Sequence, residues 1–156
     1  MAAGFKQKIK VKLIDPILGF LKQGMTPNKL ALSISLGFCF GLFPVVGITT
    51  LLCLGISLLL RLNVAAMQLI NYLVYPIQLV VLIPLINLGS YMTGINPIPY
   101  SIEEVIEIVS NDFSQAFELL GLATLIGIFA WVIIIVPISV VIYIILRMVF
   151  MQLARN

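Results

Sequence analysis

The sequence predicts an all-α integral membrane protein: a short-helix hairpin, re-entrant or fully spanning, with two full transmembrane helices and amphipathic surface helices. Three observations carry that class. The chain is 62% hydrophobic and 10% charged, against about 45–50% and about 25% in soluble domains. Its apolar residues gather in uncharged stretches, Leu30 to Leu60, Val64 to Leu88 and Gly121 to Leu146, long enough for a bilayer. The first stretch is broken by Pro44-Val45-Val46-Gly47. Its two pieces, Leu30 to Phe43 and Ile48 to Leu60, each reach only about 20 Å as helix against a hydrocarbon core of roughly 30 Å. A Pro/Gly turn between two short apolar helices predicts a hairpin with its tip at Pro44 to Gly47.

Residues 1–27 read as a basic arm followed by an interfacial helix. Lys6, Lys8, Lys10 and Lys12 alternate with other residues at a period of two, which makes no helical stripe and suits a surface arm. No Ala-x-Ala cleavage signal follows, so this segment is expected to be retained. Asp15-Pro16 is a helix start, and Ile17 to Gln23 carries Leu18, Phe20 and Leu21 before Gly24 ends it. Thr26-Pro27 repeats the start signal and launches the membrane domain, 28–100, at about Asn28.

Within that domain Val64 to Leu88 would span with tilt, kinked by Pro76 and Pro84. Gly89 to Tyr100 reads as loop, opening on a glycine stop and containing Gly94, Pro97 and Pro99. Ser101, with Glu103 and Glu104 behind it, starts an amphipathic outer-face helix over 101–120. Its stripe is Val105, Ile108, Val109, Phe113, Phe117 and Leu120. The final unit, 121–156, is a transmembrane helix kinked near Pro137 and a short tail.

Charge sets the topology. If the hairpin enters and leaves on one side, all 9 Lys and Arg residues fall on the cytoplasmic side with both termini. Glu103, Glu104, Glu107, Asp112 and Glu118 then face out. A full two-span hairpin satisfies the same parity.

The residues that most chemistry needs are missing. Histidine is absent, which removes the usual general base and the commonest metal ligand. No Asp or Glu lies in a predicted span, and no phosphate-cradling Gly-rich loop precedes a Lys. The expectation is a protein with no catalytic residues, no metal and no cofactor. The net charge of +3 sits at segment ends without aromatic platforms, so it points to anionic lipid rather than nucleic acid. Cys39 and Cys53 flank the break and read as buried, inert thiols.

Two constellations remain as sites. Ser33, Gly37 and Gly41 lie four apart, a small-residue face for close helix packing. Beyond Pro44, residues Gly47, Thr49 and Thr50 would open the second half-helix with free N–H groups and the positive dipole end, an anion site in broken membrane helices. The commoner reading is that a threonine caps the helix. The second constellation is Arg61 and Asn63, followed by Gln68, Asn71, Gln78 and Asn87. Buried amides commonly serve interhelical hydrogen bonds, and a terminal arginine commonly snorkels to headgroups. The same groups suit a phosphate headgroup.

From Gly24 to Gly89 the chain resembles a bacterial membrane family known only as domain-of-unknown-function family 2062. The matching residues are Gly24, Thr26, Pro27, Gly37, Gly41, Pro44, Gly47, Arg61, Asn63 and Pro76. Many members have Asn before the proline and Thr two residues after it. This chain has Tyr75-Pro76-Ile77-Gln78 instead, with Gln78 available as the polar substitute. The resemblance implies an inner-membrane protein, with some relatives tied to envelope glycosyltransferases. The leading expectation is binding or movement of an anionic lipid, such as a polyprenyl phosphate, through Gly47, Thr49, Thr50, Arg61, Asn63, Asn71 and Gln78. The rival expectation is a non-catalytic scaffold that docks an envelope glycosyltransferase, another membrane partner or a second copy.

Overall fold

The computed structural model describes residues 25–95 and 113–155, which form four helices. These are α1 (Pro27–Gly41), α2 (Thr49–Leu59), α3 (Val64–Thr93) and α4 (Phe113–Arg155). The basic arm, the 17–23 helix, residues 96–100 and the first part of the 101–120 helix lie outside the described residues. Among the described residues the structure is all-α, and two helices are long and apolar enough to cross a membrane, within Val64–Thr93 and Phe117–Ala154.

Each start is written in local chemistry. The Thr26 hydroxyl accepts from the Lys29 N–H at 3.3 Å, and Pro27 takes the first turn, where its missing N–H costs nothing. Asn63 caps α3, accepting from the Ala66 N–H at 2.7 Å. Between α1 and α2 the chain turns through Pro44 and through Gly47, whose φ of +91° is the left-handed region that glycine occupies without steric cost.

Two sequence expectations are corrected. Gly89 does not stop α3, which runs on to Thr93 and ends at Gly94, φ +71°. Gly89 serves packing instead: a Cβ there would collide with the backbone carbonyl of Ile126 on α4. Gly121 likewise starts no separate span, because α4 is continuous for 43 residues and joins the end of the expected surface helix to the transmembrane stretch. Pro76, Pro84 and Pro137 all lie inside helices that continue through them.

Side-chain pairings give the directions. Leu30, Ala31, Ala66 and Phe150 cluster at one end. Further along, Gly37 lies against Met67 and Ile70, and Gly41 against Asn71 and Val74. Thus α1 and α3 run parallel, with glycines at the contact so that the backbones approach closely. Helix α4 runs the other way: Trp131 packs on Phe40 and Phe43 with ring centroids 5.8 and 5.2 Å apart, and Gly127 faces Pro44. Helix α2 folds back along α1 and α3. The outward faces of α2, α3 and α4 are rows of exposed Leu, Ile and Val, as expected where lipid is the solvent.

The hairpin is shorter than the helices it packs on. Phe43 meets Gln78, halfway along the 30-residue α3. At about 1.5 Å per residue the hairpin reaches roughly 22 Å of a helix some 45 Å long. Its tip stops at mid-height.

Candidate functional site

The structure divides the sequence-selected residues between two ends of the hairpin. At the closed end, Pro44 is buried against Gly127, and Val46 to Ile48 face outward. Helix α2 begins behind them with Ile48 at the cap position and no side-chain cap. The threonine-cap reading therefore fails. Thr49 is buried, and the Thr50 hydroxyl instead accepts from Asn71 Nδ2 at 3.3 Å.

Three amides on α3 stitch the hairpin down. Gln68 Nε2 donates to the Thr50 carbonyl at 2.9 Å, and its Oε1 accepts from Asn71 Nδ2 at 3.3 Å. Gln78 Nε2 donates to the Phe43 carbonyl at 2.7 Å, beside the break. Polar side chains at this depth are costly to expose to lipid, so burial against backbone carbonyls is their favourable state. Gln78, two residues after Pro76, is thus turned to the hairpin, whereas Pro76 itself lies on the exposed side of α3.

At the other end, the mouth, Arg61 occupies an unexpected conformation. The Leu62 N–H donates to the Ser57 carbonyl at 2.8 Å and the Arg61 N–H to the Leu58 carbonyl at 3.2 Å. This is the Schellman pattern, which places the residue after the C-cap in the left-handed region where glycine is usual. Arg61 sits there at φ +52°, the sole non-glycine residue with positive φ among the described residues. Lys29 Nζ donates to the Arg61 carbonyl at 3.3 Å, which puts an ammonium on the turn at the negative end of the α2 dipole, where both residues are exposed. Arg147, also exposed, lies one turn before Phe150, which packs at this same end. Glu118, the one carboxylate among the described residues, lies toward the opposite end of α4.

Asn63 is fully committed to structure. Its Oδ1 caps α3, its N–H donates to Ser33 Oγ at 3.1 Å, and its Nδ2 points at Met25 Sδ, 2.8 Å away. Arg61 and Asn63 do not meet Thr50, Asn71 or Gln78, because roughly 12 to 22 Å of helix separates them. One phosphate cannot touch both groups.

Trp131 was not singled out by sequence reasoning, yet it locks α4 onto the hairpin, with Nε1 donating to the Cys39 carbonyl at 3.0 Å. Cys39 and Cys53 are free and buried, as expected. Among the described residues no His, Cys, Asp and Glu cluster could hold a metal.

Residues 15–156 match the family described as an uncharacterized protein conserved in bacteria, DUF2062, and the chain belongs to that family. The match extends past the Gly24 to Gly89 stretch to include α4. No curated protein and no solved structure matches the chain.

Proposed function

We propose that this member of the family is an inner-membrane protein with both termini cytoplasmic, in which α1 and α2 form a re-entrant hairpin. Its mouth binds the phosphate of an anionic lipid headgroup, of which a polyprenyl phosphate is one candidate. The observation that carries this reading is Arg61 at φ +52° with Lys29 Nζ on its carbonyl. A bulky residue in a glycine-favouring position costs about 1 kcal/mol, and what it supplies is an exposed guanidinium on the same turn whose carbonyl holds the Lys29 ammonium. Guanidinium binds phosphate through paired N–H donors. Orientation with the mouth inward follows the positive-inside tendency of Lys29, Arg61 and Arg147.

Phosphate is assigned to the mouth and not to the tip. The buried amide atoms left over at the tip are acceptors, Asn71 Oδ1 and Gln78 Oε1, which repel an anion. Gly47, Thr49 and Thr50 then shape the turn, and no catalytic step is assigned to any residue.

Native mass spectrometry after reconstitution with phosphatidylglycerol, polyprenyl phosphate or phosphatidylcholine tests the reading. Retention of the anionic lipids, lost in Arg61→Ala combined with Lys29→Ala, supports it. Equal retention of all three, unchanged in the double variant, sinks it.

A second reading, a scaffold for an envelope glycosyltransferase or another membrane helix, rests on the outer face of α2. Leu51, Leu54 and Leu58 are exposed there around Gly55, which has open space at its Cβ position. Co-purification of a partner that is lost on Gly55→Phe and kept in Arg61→Ala would favour it.

A further inference from the structure

Two backbone carbonyls fix the orientation of every amide in the seam. The Thr50 carbonyl can only accept, so it takes Gln68 Nε2; Gln68 Oε1 is then left to accept, and takes Asn71 Nδ2. Asn71 Oδ1 is what remains, turned toward Gly41 and without a partner. By the same logic the Phe43 carbonyl takes Gln78 Nε2 and leaves Gln78 Oε1 without one. Flipping either amide would set oxygen against oxygen. Both residues are only 2% exposed. A buried acceptor without a donor is costly, and more so in a medium with no water.

We infer that Asn71 Oδ1 and Gln78 Oε1 are two binding positions for O–H donors, supplied by water or by lipid headgroup hydroxyls, so that the hairpin seam is hydrated to mid-depth. The two positions are separate. Seven residues on one helix face place them about 10 Å apart, too far for one small cation to bridge both. The acceptors flank the C-terminal end of α1, where the dipole is negative, which also favours donors over anions. Thr50 and Gln68, which border the seam, are both only half-buried.

The test is water-edited solid-state NMR of the wild-type protein with Asn, Gln and Trp side-chain nitrogens labelled. Asn71 and Gln78 signals are assigned by their loss in Asn71→Leu and Gln78→Met. In phosphatidylcholine, which offers no headgroup donor, transfer from water to both amides within roughly threefold of the Asn63 rate identifies water. Transfer only after phosphatidylglycerol is added identifies a lipid hydroxyl. Transfer at both amides as slow as at the Trp131 indole, in either lipid, overturns the proposal. Loss of lipid retention at the mouth would leave the phosphatidylcholine result unchanged, so the two proposals fail separately.

Discussion

At φ +52° the Cβ of Arg61 crowds its own backbone, and glycine would relieve that at no loss of hydrogen bonding in the Schellman turn. Arg61→Gly is therefore expected to raise thermal stability in detergent by about 1 kcal/mol while lowering retention of anionic lipid. Arg61→Lys should keep most of the retention. A stability loss in Arg61→Gly would show that the side chain is structural. Trp131→Phe removes the indole donor to the Cys39 carbonyl but keeps the aromatic packing on Phe40 and Phe43. The expected cost is about 1 kcal/mol, read as a lower unfolding midpoint. These two residues mark what sequence could and could not disclose. Asn71 and Gln78 were legible as buried because an amide in an apolar span must find a partner. Trp131 was not, because its partner is a backbone carbonyl on another helix, and carbonyls leave no mark on side-chain pattern. The strain at Arg61 was equally hidden: an Arg-x-Asn sequence states a charge but not a φ angle.

Among helices, the short hairpin was the most legible feature, because Thr26-Pro27 and the Pro44 to Gly47 break mark its start and its turn; the cap that Asn63 supplies to α3 came only from the structure. The end of α3 was not legible. Gly89 and Gly94 are the same residue type, yet one closes an interface and the other ends a helix, and only the neighbouring helix distinguishes them. That difference is measurable. Gly89→Ala should destabilise, because the new methyl meets the Ile126 carbonyl and must push α3 from α4. Gly55→Ala meets nothing and should stabilise α2 by up to about 1 kcal/mol. Unfolding midpoints of the two variants, compared in one detergent, check the pair. Equal effects of the same sign would contradict the α3–α4 contact. Gly121 is a different case: it meets no neighbouring helix, and α4 simply continues through it, so a glycine between two helical patterns marks no boundary there.

Across the whole molecule, parallel α1 and α3 with antiparallel α4 bring the start of α1, the α2–α3 turn and the end of α4 to one end. Lys29, Arg61 and Arg147 are thereby collected at one end of the bundle. Charge parity could not say how deep the hairpin goes. The pairing of Phe43 with Gln78 and of Pro44 with Gly127 puts the tip partway along helices long enough to cross a bilayer, which is what supports the proposed re-entrant hairpin. The central claim is that the hairpin turns back at mid-membrane. Its most direct test is a nitroxide at Val46, exposed at the tip, in a Cys39→Ala, Cys53→Ala background reconstituted in lipid. Depth is read from the relative relaxation by oxygen and by a water-soluble nickel chelate. The account predicts a label within about 5 Å of the bilayer centre, shielded from the chelate on both sides. A label at headgroup depth on the face opposite Arg61 would contradict it and make α1 and α2 two short spans.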